Sequence, residues 1–353
     1  MSYITFQPSD YFNTKLWNGN SSTQAITGVG FQPDFVWLKQ RTGTQRHQLL
    51  DAIRGANVIL KSDGTDASGA DTDILNSFDS DGYTLGYQDQ SNDTGATYVG
   101  WNWKANGSGS SNTDGTINTT YTSANTTSGM SIIQYSGNGT AGATIGHGIG
   151  VAPKCVIIKR TDTTSNWIFG TGARGFDKFL YLNTTGAETD NAGTFNDTAP
   201  SSSVITLGSW NDVNNSSGTY IAYCFAEKKG FSKFGSYTGN GNADGSFIYL
   251  GFKPAFVIFK QTNTTGNWGL LDSTRSYANV ANHTLAANLS NAESSFGGGE
   301  SVFGASNKVD ILSNGIKIRE NSAYNNTSGG SYIYMAFASA PLVSSNGVPA
   351  VAR

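Results

Sequence analysis

One short stretch occurs three times along the chain, and this repetition constrains the fold more than any other feature. Each copy is an apolar run that begins beside a proline and ends at a lysine six residues after it, with an arginine fifteen residues beyond the lysine. The copies cover residues 30–39, 150–159 and 251–260, and the arginines are Arg54, Arg174 and Arg275. The same spacing three times predicts three structurally equivalent units in one chain.

The residues around each copy favour β-structure. Glycine is abundant (44 residues), and aromatic residues make up 12% of the chain. Glycine and asparagine allow the positive φ angles of tight turns, and aromatic residues favour strands. Each copy is preceded by an aromatic residue and a Gly-Asn pair, and is followed much later by an aromatic strand that begins with Tyr98, Tyr220 or Tyr332. We predict an all-β fold of three tandem antiparallel β-sandwich repeats, of the jelly-roll or lectin-like kind.

The domain boundaries follow from the repeats. We place a first β-sandwich repeat at 1–105, a polar Gly/Ser/Thr/Asn linker at 106–129, a second repeat at 130–230 and a third at 231–353. The linker has too few apolar residues to bury itself. Because no such segment separates the second and third repeats, we expect the third to pack on the second.

Charge and hydropathy exclude several classes of partner. Lys and Arg number 22 against 25 Asp and Glu, and no stretch gathers basic residues into the stripe that follows a phosphate backbone. We therefore expect no nucleic-acid partner. The N-terminus lacks a secretory signal pattern, and no apolar run approaches the roughly 20 residues of a membrane span. We expect no membrane partner and a soluble protein. The cysteines, Cys155 and Cys224, are interpreted as small buried residues, although a disulfide is possible.

Several residues at repeated positions could be functional or structural. Tryptophan occupies the position of His47 in the other two repeats, so we interpret His47 as a packing or rim residue. Asp51 and Asp272 each precede an arginine by three residues, and we expect surface ion pairs that set a turn. The Asp79-Ser80-Asp81-Gly82 segment is typical of a hairpin turn, and a calcium loop would need later ligands that are missing.

No motif for catalysis or cofactor binding is present. The three histidines lack metal-ligand spacing, and no Gly-x-Ser-x-Gly elbow or phosphate-binding glycine loop occurs. We therefore expect no catalytic, cofactor-binding or metal-binding residues, and no enzyme activity. The two carboxylates of a glycosidase leave no sequence signature, so a polysaccharide-degrading hydrolase is kept as an alternative.

Aromatic and amide side chains on a β-scaffold suit sugar binding, because aromatic faces stack on sugar rings and amides bond hydroxyl groups. Most aromatic residues recur at positions expected in the core. The candidates for glycan contact are therefore those in predicted loops, Tyr87, Trp210, Tyr277 and Tyr324.

Several stretches resemble a family of repeat-containing, tail-fibre-like virion structural proteins found in tailed phages, particularly of marine bacteria. The likeness extends from about Trp17 to the C-terminus. The stretches that carry it are IIQYSGNG (132–139) with GHG (146–148), YIAYCFAE (220–227), FSKFGSYTGNG (231–241) and AFASAPLV (336–343).

The resemblance implies a non-enzymatic structural protein on the exterior of a phage particle, as part of the tail, a fibre or a capsid decoration. It implies assembly in a host cytoplasm and exposure on the virion, where the protein contributes to host attachment. The expected partners are other virion proteins, copies of the chain itself in a trimer, and host-surface polysaccharide. A purely architectural capsid or tail protein without receptor binding is the alternative.

Overall fold

The computed structural model describes residues 6–293, 308–322 and 324–340, and the backbone of 342–343 and 349–350. Strands make up 43% and helices 5% of it, and the sheets are antiparallel, which confirms the all-β prediction. None of the helices in these ranges is long and apolar enough to cross a membrane. Pro341, in the stretch AFASAPLV (336–343), lies outside the described residues.

The first repeat (residues 6–105) forms a large and a small sheet. Its elements are a 3-10 helix at Pro8–Asp10, β1 (Phe12–Asn18), β2 (Gln24–Ile26), β3 (Phe35–Gln40), β4 (Gln48–Asp51), β5 (Gly55–Leu60), β6 (Gly69–Ala70), β7 (Leu75–Asp79), β8 (Gly82–Leu85), α1 (Asp89–Asn92) and β9 (Thr97–Trp103). The strand order is β1-β9-β3-β4-β5-β6 in the large sheet and β2-β8-β7 in the small sheet. The predicted hairpin is β7 and β8.

The second repeat also has a large and a small sheet, but its large sheet has an added edge strand and its small sheet has two strands instead of three. Its elements are β10 (Tyr121–Asn125), β11 (Met130–Ser136), β12 (Ala143–Gly146), β13 (Cys155–Arg160), β14 (Trp167–Thr171), β15 (Gly175–Tyr181), β16 (Thr189–Asp190), α2 (Ala192–Phe195), β17 (Val204–Leu207), α3 (Asn211–Asn214) and β18 (Thr219–Phe225). The order is β10-β11-β18-β13-β14-β15-β16 in the large sheet and β12-β17 in the small one.

The third repeat again pairs a large and a small sheet. Its elements are β19 (Ser232–Thr238), β20 (Phe247–Tyr249), β21 (Pro254–Gln261), β22 (Gly269–Asp272), β23 (Leu285–Ala286), β24 (Val309–Leu312), β25 (Gly315–Ile318) and β26 (Ser331–Ala338), followed by β27 (Leu342–Val343) and β28 (Pro349–Ala350). The order is β19-β26-β21-β22-β23 in the large sheet and β20-β25-β24 in the small one. The strands β24 and β25 form an antiparallel hairpin.

The repeated strand is apolar on both faces because each face is covered by a different core. In β3, Phe35 and Trp37 face an apolar core shared by the large sheets of all three repeats, whereas Val36 and Leu38 face the small sheet of their own repeat. The strand is therefore buried on both faces. Each such side chain contributes about 1.5 to 3 kcal/mol through burial.

Aromatic contacts in the shared core join every pair of repeats. Ring centroids lie 4.4 Å apart for Phe35 and Tyr223, 4.7 Å apart for Phe169 and Trp268, and 5.4 Å apart for Trp101 and Phe256. The third repeat therefore packs on the second, and it also packs on the first. The three large sheets surround the shared core as a closed ring.

Part of the predicted linker is packed against the second repeat. Within 106–129, the strand Tyr121–Asn125 adds to the edge of the large sheet, and Ile117 is buried in the core beneath the small sheet. Backbone hydrogen bonds to an existing sheet fix this polar segment, so its packing did not require an apolar sequence.

Candidate functional site: the junctions between repeats

The lysine that ends each repeated stretch is buried at a junction between repeats. The side chains of Lys39, Lys159 and Lys260 are fully inaccessible to solvent. Lys159 Nζ donates a hydrogen bond to the carbonyl of Thr65 in the first repeat, at 3.1 Å. Lys260 Nζ donates one to the carbonyl of Thr185 in the second repeat, at 3.3 Å. These lysines therefore bind a loop of the preceding repeat.

Burial disfavours the charged ammonium form and lowers the pKa of all three lysines. It lowers the pKa of Lys39 to about 7, and that of Lys159 and of Lys260 to about 8. The charges of Asp63 and Glu293 partly offset the effect at Lys39. Lysines with lowered pKa values can act as nucleophiles, but full burial keeps these three away from any substrate.

The first Asp-Arg pair lies inside the protein, so the expectation of a surface pair was wrong. The side chains of Asp51 and Arg54 are 0% and 3% exposed, and their ion pair spans 2.6 Å. Tyr223 of the second repeat donates a hydrogen bond to Asp51 Oδ2 at 2.7 Å and accepts one from Arg54 at 3.2 Å. The sequence could not show this burial because Tyr223 is distant along the chain.

The pair in the third repeat is built in the same way. Asp272 and Arg275 have fully buried side chains and form an ion pair. Trp101 of the first repeat donates its indole N–H to Asp272 Oδ2 at 3.0 Å, and the Arg275 guanidinium lies 5.3 Å from the Trp101 ring. In the second repeat, where Thr171 replaces the aspartate, Arg174 bonds Glu188 instead.

His47 performs the contact that tryptophan performs in the other repeats. Trp167 and Trp268 donate their indole N–H groups to carbonyls of the preceding repeat, those of Lys61 and Tyr181. His47 Nε2 lies 2.8 Å from the carbonyl of Ala286, which is the matching position in the third repeat. The prediction of a packing role agrees with this position, which is interior and not at a rim.

The tautomer of His47 follows from its two contacts. Trp37 donates its indole N–H to His47 Nδ1 at 2.8 Å, so Nε2 carries the proton and donates to Ala286. Burial, with the nearby charge of Lys39, lowers the pKa of His47 well below its ordinary value. The neutral imidazole of His47 makes one hydrogen bond through each ring nitrogen. It therefore links two repeats and has no free nitrogen for catalysis.

Glu293 joins the third repeat to the first. Its carboxylate bonds Arg41 through two contacts of 2.9 Å, and also bonds Arg275 at 3.1 Å and His283 at 2.6 Å. Burial alone would raise the pKa of Glu293, but the hydrogen bonds and charges of the two arginines lower it to about 2. The junction that closes the ring therefore depends on an ionised carboxylate.

Sequence reasoning missed a buried asparagine that clamps each repeat. Asn92, Asn214 and Asn326 are fully buried, and each accepts a 2.9 Å hydrogen bond from the backbone N–H of the asparagine in its Gly-Asn turn. Each lies six residues before the tyrosine that opens the aromatic strand. That spacing is a usable signal, but it is hidden by the many other asparagines.

The four predicted glycan contacts lie in separate parts of the molecule. Each repeat has a loop before its clamp asparagine, and this loop contains Tyr87 in the first repeat, Trp210 in the second and Tyr324 in the third. Tyr87 is 58% exposed, and Tyr277, in a loop of the third repeat, is 91% exposed. Trp210 and Tyr324 are half-buried, and the Trp210 ring packs edge-on against Phe179. The four residues thus belong to four loops distributed over the three repeats.

The remaining candidates have structural contacts. Cys155 and Cys224 are free, buried and on opposite faces of one sheet, so they do not pair. Burial raises the pKa of both thiols. Asp81 accepts hydrogen bonds from the backbone of Gly28 and Gly30, as a loop anchor does. In the part of the chain that the structure describes, no group of three His, Cys, Asp or Glu side chains could hold a metal ion.

Comparison with known proteins gives one match. A family model described as a domain of unknown function (DUF7483) matches residues 7–341, which is nearly the whole chain and all three repeats. No curated protein and no solved structure matches the chain.

Proposed function

We propose that this chain, which belongs to the family of the domain of unknown function DUF7483, is a non-enzymatic structural protein on the exterior of a tailed-phage particle. It forms part of the tail, a fibre or a capsid decoration and contributes to adhesion to the host surface. The proposal rests on the likeness to phage virion proteins together with the arrangement of the recurring charged residues.

The contacts of those charged residues are the observation that supports a structural role for the protein. Lysines recur at one position in all three repeats, and all are buried. Lys159 and Lys260 donate to backbone carbonyls of the preceding repeat, and Lys39 donates to carbonyls of its own repeat. Asp51 and Asp272 bond side chains of another repeat. A group committed to such contacts stabilises the ring and does not contact a substrate. This pattern supports a scaffold.

We further propose that each repeat is one β-sandwich, with its small sheet packed on its large sheet in a jelly-roll-like or lectin-like manner. The separate apolar core between the two sheets of each repeat supports this interpretation. On a virion, such a protein assembles with other virion proteins and with copies of itself as a trimer.

Labelling of intact phage particles with an antibody against the purified chain tests the location. We expect label on the head or tail exterior of most particles. Label confined to the host lysate, with none on purified particles, would contradict the proposal.

Binding of the purified chain to host cells separates the proposed role from its alternatives. Adhesion predicts saturable binding, a purely architectural protein predicts none, and a hydrolase predicts release of reducing sugar from host envelopes. Sugar release by the purified chain would replace the structural proposal with an enzymatic one.

A further inference from the structure

We propose that the outer face of the small sheet in the third repeat binds a neutral polysaccharide through Phe247 and Tyr249. The proposal rests on the adhesive function proposed above and gives that function a site and a ligand class. Neither residue was among the glycan contacts predicted from the sequence.

The two aromatic side chains lie exposed on one face of strand β20. Phe247 is 46% and Tyr249 58% exposed, whereas Ile248 between them is 4% exposed and faces the core. Alternation along a strand places residues two apart on the same face, roughly 7 Å from each other. A Cβ atom on Gly315 in the neighbouring strand would lie 3.2 Å from Phe247 Cε2, so the Phe247 ring packs closely over this glycine. The strand therefore presents two rings side by side.

The other repeats show that the fold does not require aromatic residues here. The register of the small sheets shows that Ile248 is equivalent to Ile26 and Ile145. Each of these isoleucines pairs with the second residue of the neighbouring strand, which is β25, β8 or β17. The flanking residues are Ala25 and Thr27 in the first repeat and Thr144 and Gly146 in the second. Two adjacent exposed aromatic side chains that the fold does not require form an apolar patch suited to binding.

The second repeat covers the matching strand with its own chain. Ile117 donates its backbone N–H to the carbonyl of Thr144 at 2.9 Å, and the Asn112 side chain occupies the space beside Gly146. Both residues belong to the segment that precedes the second repeat. The third repeat has no such segment before it, since β18 ends at Phe225 and β19 begins at Ser232. In the part of the third repeat that the structure describes, no such segment pairs with the edge of β20 or lies over the outward-facing Tyr249 ring, which is 58% exposed.

A lysine beside β20 favours binding on the face over addition of a peptide strand to the edge. Lys233 Nζ donates a hydrogen bond to the carbonyl of Tyr249 at 3.1 Å and lies 5.1 Å from the centre of its ring. The bond occupies a backbone group that an added strand would need, and lysine at a sheet edge opposes strand pairing. The cation also holds the Tyr249 ring in place.

Apart from Lys233, which bonds a backbone carbonyl, the charged side chains described next to the rings form ion pairs, which favours a neutral ligand. Lys317 contacts Asp244 at 2.8 Å, and Arg319 contacts Asp310 at 2.6 Å. Paired ions attract a charged polymer weakly, but they offer hydrogen-bond donors and acceptors to hydroxyl groups. Aromatic rings beside such groups match the alternating apolar faces and hydroxyl rims of a sugar chain.

Affinity electrophoresis and pull-down of the full chain test the proposal, with dextran, mannan, laminarin, cellulose and chitin as probes. We expect wild type to bind at least one of them, and Phe247→Ala or Tyr249→Ala to weaken that binding by about tenfold. Tyr249→Phe keeps the ring and retains binding. Tyr121→Ala removes a similarly exposed tyrosine (43%) from the second repeat and leaves binding unchanged. Thermal melting verifies that every variant is folded.

Three results would overturn the inference. The first is that wild type binds none of the probes. The second is that the Phe247→Ala/Tyr249→Ala double variant binds as strongly as wild type. The third is that the protein still attaches to host cells after periodate oxidation of their glycans. Particle labelling separates this inference from the proposed function. If the particles are labelled but the variants bind glycan as well as wild type does, only the proposed site is refuted. If the chain binds glycan but is not found in the particle, only the virion role is refuted.

Discussion

Tyr223 of the second repeat donates its hydroxyl to Asp51 of the first repeat at 2.7 Å. Trp101 stands at the position of Tyr223 in the first repeat and donates to Asp272 in the same way. The third repeat has Met335 there, which has no proton to donate, and the second repeat has Thr171 in place of the aspartate. An aspartate is thus present at the two junctions where the neighbouring repeat supplies a donor.

The Asp51 contact predicts a large loss of stability when its carboxylate is removed. Asp51→Ala leaves Arg54 buried without its partner and should lower the unfolding free energy by about 3 to 5 kcal/mol. Tyr223→Phe should cost about 1 to 2 kcal/mol. Urea denaturation of both single variants and the double variant measures the coupling. Thr171→Ala, at the junction without an aspartate, should cost less, and purely additive losses would contradict the contact.

The contacts of Glu293 predict that the unfolding free energy decreases at acid pH. Its pKa is about 2 in the folded protein and 4.5 ordinarily. Above 4.5 its full contribution to stability is present, and the contribution is lost as the pH falls through 2. We expect wild type to lose about 3 kcal/mol more than Glu293→Gln between pH 5 and 2. The exposed control Glu227→Gln should follow wild type, and parallel curves for wild type and Glu293→Gln would refute the role of the carboxylate.

Lys39 predicts a rise in stability with pH above neutrality. Its pKa is about 7 when folded and 10.5 ordinarily, so the unfolded chain holds more protons between these values. Unfolding free energy therefore increases with pH. From pH 7 to 8.5, the unfolding free energy of wild type should gain about 1.5 kcal/mol relative to Lys39→Met. Urea titrations at several pH values measure this difference, and Lys154→Met, at an exposed site, should show none.

The sequence predicted the strands better than the junctions. The apolar run of Phe35 to Leu38 reports burial on both faces, because that property belongs to a single strand. The burial of Asp51 depends on Tyr223, 172 residues away, and no local pattern encodes such a partner. Polar composition likewise concealed the packed strand Tyr121–Asn125, since its contacts are made by backbone groups.

The candidate site was harder to predict than the fold. Tyr87, Trp210 and Tyr324 lie in the equivalent loop of three repeats, at different positions within it, and sequence reasoning could place them in loops without knowing how far each was buried. Phe247 and Tyr249 were missed because aromatic residues at alternate strand positions also occur in cores. Only the register of the small sheets shows that this pair faces outward and has no counterpart in the other repeats.

We expect the stability losses of two substitutions, at Trp37 and at His47, to compensate when both residues are replaced by those of the other repeats. The second and third repeats combine isoleucine with tryptophan at these positions, as in Ile157 and Trp167. Trp37→Ile alone leaves a cavity and should cost about 3 kcal/mol or more, and His47→Trp alone overpacks the junction by about 1 to 3 kcal/mol. The double variant restores the combined size and the indole bond to Ala286, so it should lose less stability than the sum of the single variants. Urea denaturation measures the coupling, and losses that simply add would show that the repeats are not equivalent at this junction.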